Sequence, residues 1–421
     1  MVSSTGTKDR RNIAFAASLV CMTCAGTLYL FSAYAQGLKQ KRGLSQTALN
    51  GIASCGGFGQ YLSGPIWGRL SDTHDRRVLC GTAGILLLTG YLSLAIGYSS
   101  ELVPIAGLAI AYACVGLGSS GVFNSALATS VKNFDQREHG FAVGVPVAFF
   151  GLSAFVFSQL QRLFVTTTLE SNNSSGVDIF GFLVFIGIVT GGGALIGSQF
   201  LYDVSGSVRR GERTEISTSG SGDEDETVGP VATAAINTEE SLLLTVSPNA
   251  AAQSAPVEPS IFEQRDAWLL FGAFILLSGT GLMYINNVGA VVIALSSASD
   301  LPTDIQAMQR LHVGLLSICN CAGRISTGLA SDFLMTRLKL TRLVGLIAGG
   351  GLIALALLVG IFGVGAGGVH SLVTVTLLLG LGYGAIFSAA PAIVGRWFGV
   401  ERFGANWGWY QWAPALVLSN L

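Results

Sequence analysis

The sequence predicts an all-α, polytopic membrane protein built from two helical halves, and the distribution of charge is the main reason. Only 11% of the 421 residues are charged, whereas a soluble domain carries about 25%. Residues 12–38, 102–131 and 343–395, among other runs, contain no Asp, Glu, Lys or Arg. Because about 20 helical residues cross a bilayer core about 30 Å thick, such runs are long enough to span it. This composition argues against a soluble enzyme.

Eleven spans are predicted, six before a long polar gap and five after it. The run 343–395 counts as two spans because a glycine-rich break interrupts it at residues 363–368. The first run is too long for a signal-peptide core, so it is predicted to be a span. The predicted spans lie near residues 13–37, 46–70, 78–99, 102–131, 139–163, 178–204, 267–297, 305–334, 341–363, 369–396 and 401–421.

The spans and the gap predict three regions: an N-terminal helical half over 1–204, a linker over 205–266 and a C-terminal helical half over 267–421. The linker contains the acidic run 223–226 and four of the ten prolines. A segment of this composition buries too little apolar surface to fold, so it is predicted to be disordered. Within it, Glu239, Leu243 and Leu244 fit an acidic dileucine sorting signal, although so short a pattern also arises by accident.

The basic residues predict the orientation. With the N-terminus cytoplasmic, 17 of the 23 Lys and Arg residues fall in cytoplasmic segments, as the positive-inside rule requires. The N-x-S sequons at Asn172 and Asn173 then lie on the lumenal or outer side. The net charge of −1 argues against a nucleic-acid partner. Cys21 and Cys24 have no second cysteine pair or nearby His, so no metal or other cofactor is expected.

The two halves are related by an internal repeat. The segments 116–128 and 380–392 share an initial Gly-Leu-Gly, a Phe and two alanines at matching positions. Gly68-Arg-Leu-Ser-Asp72 matches Gly328-Leu-Ala-Ser-Asp332 at nearly the same offset. Parallel repeats of six spans are typical of transporters that bind their solute near mid-membrane, between the halves.

The segment from Gly64 to Arg77 resembles the loop signature between spans two and three of the major facilitator superfamily. The resemblance implies that the acid, Asp72, engages a neighbouring helix terminus while Arg76 and Arg77 face the cytoplasm. Together with Gly68, and with Asp332 repeating the feature, these residues are expected to latch a cytoplasmic gate. Thr73 and Asp75 depart from the usual pattern, and Asp75 is free to pair locally with Arg76 or Arg77. The alternative is that the basic residues only reflect the positive-inside rule.

Arg324 is the strongest candidate for a solute contact. It lies near the middle of predicted span eight, where a bare cation costs about 2.5–3.5 kcal/mol. No acid occupies the middle of any span. An unpaired guanidinium suits an anionic solute because it binds a carboxylate through two parallel hydrogen bonds. Asn320, one turn away, would hold the solute or the arginine; the alternative is an arginine buried for structure.

Four segments resemble the fungal monocarboxylate-transporter-homologue branch of the superfamily, which lies close to the nodulin-like proteins. They are Gly26–Tyr34, Gly51–Asp72, the stretch from Gly144 to Gln159, and Asn320–Asp332. In the broader monocarboxylate transporters, an Asp four residues before the arginine and a Lys in span one serve proton-coupled transport. Here the first position is Asn320 and span one has no Lys. The resemblance implies an anion contact at Arg324, leaves the proton carrier open, and favours the vacuolar membrane over the plasma membrane.

The combined prediction is a monomeric secondary transporter, not an enzyme, that moves a small organic anion such as a monocarboxylate by alternating access, with or without a proton. Its partners are the solute and the lipid bilayer. The predicted second half lacks its last helix, so an inactive truncated carrier is one alternative and a non-transporting sensor with the same fold is another. Besides Arg324 and Asn320, the candidate solute contacts are Tyr29, Ser32, Tyr284 and Asn287.

Overall fold

The computed structural model describes residues 4–167, 175–204, 261–297 and 305–418, and these ranges are almost wholly helical. A two-stranded antiparallel hairpin, β1 (Val165–Thr167) and β2 (Ser175–Val177), follows the seventh helix. A 3₁₀ turn at Gly26–Leu30 joins the first two helices. The helices are α1 (Ser4–Ala25), α2 (Phe31–Arg42), α3 (Gln46–Leu62), α4 (Gly64–Thr73), α5 (Arg76–Ser99), α6 (Ile105–Asn133), α7 (His139–Leu160), α8 (Ile179–Ser198), α9 (Arg265–Ser297), α10 (Ile305–Arg337), α11 (Leu343–Trp397), α12 (Phe403–Tyr410) and α13 (Trp412–Leu418).

Nine helical stretches within the described ranges are long and apolar enough to cross a membrane. They coincide with nine of the eleven predicted spans, so the prediction of a multi-pass helical protein is confirmed. The other two predicted spans, 46–70 and 401–421, are each described as two consecutive helices rather than one.

Proline accounts for both interruptions. Pro65 lies in the first turn of α4, just after the break at Ser63. Pro414 follows the break at Gln411 by three residues. A proline has no N–H to donate and its ring clashes with the carbonyl four residues earlier, so the preceding helix is broken or kinked.

Helix α11 contains both predicted spans nine and ten in one helical stretch of 55 residues. It folds back on itself, because a Cβ at Gly349 would lie 2.9 Å from Ala385 and one at Gly360 would lie 3.9 Å from Val375. As the residue number rises from 349 to 360 in the first part of the helix, the number of the contacting residue falls from 385 to 375 in the second part. The two parts of α11 therefore run antiparallel. The reversal falls between Gly360 and Val375, where the glycine-rich break was predicted.

The two halves meet along two pairs of helices. In one pair, α7 of the first half packs on α10 of the second; in the other, α4 packs on α12. Both crossings use glycine, since a Cβ at Gly68 would overlap the Gly404 carbonyl oxygen and one at Gly140 would overlap the Gly328 carbonyl oxygen. Small residues let helix backbones approach this closely in membranes. The largest cluster of buried apolar side chains extends through both halves, including Tyr91 and Phe274.

The seven cysteines are all free thiols. Cys24 and Cys21 lie against Gly193 and Gly197 of α8, where a Cβ would come within 2.7 and 2.6 Å of the sulfurs. They therefore serve as small packing residues between α1 and α8.

Candidate functional site

A small cavity of about 30 Å³ lies where the two halves cross. Helices of both halves contribute to its wall, which is mostly aromatic. Of the described residues that line it, Arg324 alone is charged. The polar side chains beside it are Tyr29, Gln60, Tyr61 and Gln411.

Arg324 is 2% exposed and is held by neutral partners from both halves. Its Nε donates to Asn320 Oδ1 at 3.0 Å, one turn earlier in α10. Its Nη1 donates to the carbonyl oxygen of Val147 in α7. The guanidinium carbon lies 5.6 Å from the ring centroid of Phe387, close enough for a cation–π contact. None of the described carboxylates forms an ion pair with it.

Gly151 provides the space for this guanidinium. A Cβ at Gly151 would lie 2.8 Å from Arg324 Nη1 and 3.0 Å from its Cζ. Two turns earlier on α7, Gly144 packs against the Arg324 backbone, and a Cβ there would be 2.7 Å from the arginine's carbonyl oxygen. The two glycines let α7 pass close to α10 at the arginine.

Two tyrosine hydroxyls meet beside the arginine. Tyr29, in the 3₁₀ turn after α1, and Tyr61, near the end of α3, have their hydroxyl oxygens 2.8 Å apart. Tyr29 also contacts the edge of Phe150, with ring centroids 5.7 Å apart. The pair supplies two hydroxyl groups to a wall that is mostly aromatic.

A pair of amides joins the halves beside the cavity. Gln411, at the break between α12 and α13, donates to Asn124 Oδ1 at 2.7 Å, and Asn124 donates back to Gln411 Oε1 at 3.3 Å. Gln60, three residues before the break between α3 and α4, accepts a hydrogen bond from Ser119 at 3.3 Å. Gln60, Tyr61 and Gln411 are not among the residues predicted from the sequence to contact the solute. Polar residues next to proline breaks in apolar runs are the signal that could have found the two glutamines.

Each half sends an aspartate across to a helix N-terminus of the other half. Asp72 accepts hydrogen bonds from the backbone N–H groups of Gly404 at 3.1 Å and Ala405 at 2.7 Å. Asp332 accepts from the N–H groups of Gly140 at 2.8 Å and Phe141 at 2.7 Å. Carboxylates are favoured at these positions because the first N–H groups of a helix have no intrahelical partner and carry partial positive charge.

We call these two contacts, of Asp72 with the start of α12 and of Asp332 with the start of α7, the aspartate clamps. In each clamp a cation also binds the carboxylate. Lys132 Nζ lies 2.7 Å from Asp72 Oδ1, and Arg342 Nη1 lies 2.8 Å from Asp332 Oδ1. Both aspartates lie at the end of the molecule that the basic residues assign to the cytoplasm. The halves are therefore joined on this side in the described conformation.

The sequence is similar to those of proteins named as probable transporters. A protein-family model described as Nodulin-like matches residues 11–189. A probable transporter mch1 of Neurospora crassa is 25% identical, with 96% of this chain and 78% of that protein aligned. A probable transporter MCH1 of Gibberella zeae is 27% identical, with 98% of this chain and 81% of that protein aligned.

Two solved structures share the fold. The proton:xylose symporter XylE, a major facilitator superfamily protein, superposes with a TM-score of 0.64 at 13% identity, covering 98% of this chain and 87% of that one. The human organic anion transporter MFSD10 superposes with a TM-score of 0.58 at 15% identity, covering 98% and 91%. The chain is thus similar in sequence to nodulin-like and MCH1 proteins and similar in fold to solved transporters of the major facilitator superfamily. Together with the nine apolar helical stretches in the described part of the chain, these similarities support a multi-pass membrane transporter rather than an enzyme.

Arg76 and Arg77 bind within the first half and do not join the halves. Arg76 pairs with Asp203 at 2.8 Å and donates to Thr129 Oγ1 at 3.1 Å. Arg77 lies over the ring of Tyr202, with its guanidinium carbon 4.7 Å from the centroid. Asp75 caps α5 by accepting from the Arg77 N–H at 2.9 Å. The cations at the two aspartates are instead Lys132 and Arg342, which the sequence analysis did not select.

The remaining candidates lie away from the cavity or outside the described residues. The Tyr284 hydroxyl is 2.6 Å from Thr376 Oγ1, in a cluster with His312 inside the second half. Asn287 is exposed and its side-chain amide donates to the Met283 carbonyl. The described residues therefore bring Tyr29, Asn320 and Arg324 together, but not Tyr284 or Asn287. The side chain of Ser32, the sequons at Asn172 and Asn173 and the sorting signal at Glu239, Leu243 and Leu244 lie outside the described part of the chain.

Proposed function

We propose that this transporter carries a small organic anion, such as a monocarboxylate, by alternating access, with Arg324 as the anion contact. The observation that carries the proposal is the burial of Arg324 between the halves on neutral partners only. A cation at mid-membrane costs about 2.5–3.5 kcal/mol unless a wet cavity or a counter-ion compensates it. A bound carboxylate supplies that counter-ion.

The surroundings of the arginine favour a solute with one anionic end and a small apolar body. The guanidinium binds a carboxylate through parallel hydrogen bonds. Tyr29 and Tyr61 place two hydroxyls nearby, and Phe150 and Phe274 add aromatic surface to the wall. A site of this kind orients a ligand through a few polar groups and buries the rest against apolar side chains.

The size of the cavity supports alternating access. Its volume of about 30 Å³ is close to the share of one water molecule in the liquid. An organic acid therefore enters only when the halves separate. The aspartate clamps and glycine crossings hold the halves together at the cytoplasmic end, so the release of these contacts is the step that we expect to open that side.

One chain contributes both walls of the cavity, which supports transport by a monomer. We propose that the gradient of the solute, or of a co-transported proton, drives transport. Uptake into proteoliposomes with and without an imposed pH gradient distinguishes the two. Stimulation by an acidic outer solution favours proton coupling, and equal rates favour transport down the solute gradient alone.

Uptake of a panel of labelled organic acids into proteoliposomes tests the site. Arg324→Ala is expected to weaken the apparent affinity by about 10- to 100-fold, because a charge-assisted hydrogen bond is worth about 1.5–3 kcal/mol. Arg324→Lys keeps the charge but loses the planar fork, so it is expected to restore only part of the uptake. Arg337→Ala, at the exposed end of the same helix, is the matched control.

Each outcome of this experiment separates one part of the proposal from another. Uptake by Arg324→Ala equal to that of the native chain would reject Arg324 as the anion contact but leave the transporter. Uptake of neutral solutes alone would reject the anionic substrate. Binding of an organic acid without flux, by protein shown to be folded, would reject transport and favour a sensor.

We propose the vacuolar membrane as the site of transport, with the segment from Glu239 to Leu244 as the sorting signal. A fluorescent fusion of the full chain tests this. Leu243→Ala with Leu244→Ala is expected to move the protein from the vacuolar membrane to the plasma membrane. Unchanged vacuolar location in the double variant would reject the signal, and plasma-membrane location of the native chain would reject the compartment.

A further inference from the structure

A second, larger cavity opens beside the Asp332 clamp, at the same end of the molecule. It has a volume of about 830 Å³ and lies between the start of α7 and the ends of α10 and α11. We call it the basic cavity, because the described residues that line it include four cations and no Asp or Glu: Arg137, Lys339, Arg342 and Arg396.

The N-terminus of α11 adds to this positive charge. The N-cap residue is Arg342, which makes no side-chain capping bond, and no acid lies in the first turn. The matching helix of the first half, α5, is capped by the carboxylate of Asp75. Helix N-termini bind anions through free N–H groups and the helix dipole. The first half thus contains its own anion at this position, whereas the second half presents a cation.

Arg342 is 4% exposed and its hydrogen-bonding capacity is only partly used. Its Nη1 bonds to Asp332 at 2.8 Å and Ser331 at 3.1 Å, and its Nη2 bonds to the Gln136 carbonyl at 2.7 Å. Its Nε is buried and has no hydrogen-bond partner among the described residues. Burial lowers the pKa of this guanidinium, and the neighbouring Asp332 acts in the opposite direction. Asp332, which bonds to Arg342, is already engaged by the backbone N–H groups of Gly140 and Phe141.

We propose that the basic cavity binds a phosphate-bearing anion. Arginine clusters recognise phosphate through charge-assisted, bidentate hydrogen bonds. The volume lies within the range of ligand sites, about 300–1,000 Å³, and exceeds what one inorganic phosphate fills. Trp397, at the end of α11, and Leu340, in the loop before α11, line the cavity and are 37% and 42% exposed. The phosphate therefore comes from a phosphoinositide-type lipid headgroup or from a soluble phosphorylated molecule in the cytosol.

The anion would bind only the conformation in which the two halves are in contact at this end. Gln136 and Arg137 belong to the first half, while Lys339, Arg342 and Arg396 belong to the second. Gln136 already accepts hydrogen bonds from Arg342 and Arg396 across this boundary. Separation of the halves at this end would divide the cavity, so the ligand stabilises the closed arrangement that binds it. This effect on transport rests on the proposed alternating access, whereas the binding itself does not.

Binding to the purified full chain in lipid nanodiscs of phosphatidylcholine tests the site, with thermal stabilisation as a second readout. The probes are inorganic phosphate, inositol 1,4,5-trisphosphate and dioctanoyl phosphatidylinositol 4,5-bisphosphate. Arg137→Gln combined with Lys339→Gln removes two exposed cations and is expected to weaken binding about tenfold. The charge-matched control is Arg137→Gln combined with Arg337→Gln, because Arg337, at the exposed end of α10, lies two residues before Lys339 but does not line the cavity. This control is expected to lose about half as much binding free energy as the variant Arg137→Gln with Lys339→Gln, because only one of its two substitutions lies in the cavity.

Equal affinity for the trisphosphate and the lipid supports a cytosolic anion, and preference for the lipid supports a membrane headgroup. Failure of every probe to bind or stabilise the native chain would overturn the proposal. Equal losses in the two double variants would also overturn it, because general attraction to a basic surface explains that result. Loss of organic-acid transport by Arg324→Ala is measured separately, so either proposal can fail alone.

Discussion

Asp72 and Asp332 make the same contact in opposite directions. Each carboxylate extends from one half and accepts hydrogen bonds from two backbone N–H groups at the start of a helix in the other. Each also binds a cation, Lys132 or Arg342. The internal repeat in the sequence thus corresponds, in the structure, to two reciprocal aspartate clamps at one end of the molecule.

Loss of either clamp is expected to expose the interface at that end. Asp72→Asn removes a charged acceptor of two N–H groups, and hydrogen bonds to charged groups contribute about 1.5–3 kcal/mol. Ser71 is fully buried beside Gly404, so a Ser71→Cys probe should react with a maleimide about tenfold faster in the Asp72→Asn background. Asp75→Asn, which affects only the cap of α5, is the control. Equal labelling in the two backgrounds would show that Asp72 does not hold the halves together.

Gly68→Ala is expected to destabilise the described conformation by about 1–3 kcal/mol, since the added methyl group would overlap the Gly404 carbonyl. The melting temperature of the purified protein measures the effect. Gly272→Ala is the matched control, because nothing lies within 4 Å of a Cβ at that position of α9. It should leave the stability unchanged or raise it slightly, as alanine favours helix over glycine. An unchanged melting temperature for Gly68→Ala would contradict the close crossing of α4 and α12.

Gly151→Ala is expected to raise the KM for the transported anion with little change in melting temperature. The new Cβ would lie 2.8 Å from Arg324 Nη1 and displace the guanidinium from its position. Concentration-dependent uptake separates KM from the maximal rate. Gly192→Ala on α8, where nothing lies within 4 Å, is the control. A KM equal to that of the native chain would show that the position of the guanidinium does not matter for solute binding.

The Asn124–Gln411 pair is expected to couple the halves measurably. A double-mutant cycle of Asn124→Ala and Gln411→Ala isolates the interaction from the loss of each side chain alone. Hydrogen bonds between membrane helices average about 0.6 kcal/mol and reach about 1.7. Thermal unfolding of the four proteins in detergent should therefore show a coupling of that size, while strictly additive effects would exclude a contribution from the reciprocal amide bonds.

The sequence pattern alone predicts the features that depend on local composition. The apolar runs, the glycine-rich reversal in α11 and the aspartates at matching ends of the repeat were all predictable, because the length of a span and the start of a turn are properties of neighbouring residues. Arg324 was predictable as a buried cation for the same reason: its position within an apolar run is readable directly.

The partners of these residues were decided only by the tertiary structure. Nothing near Asp72 in sequence indicates that Lys132 and the N–H groups of Ala405 would meet it, while Arg76 turns to Asp203 instead. Gln60 and Gln411 reach the cavity because proline breaks place them there, and Tyr284 faces Thr376 because of how the second half packs. Composition along one helix determines that it enters the bilayer. Which face meets which neighbour depends on contacts between residues hundreds of positions apart.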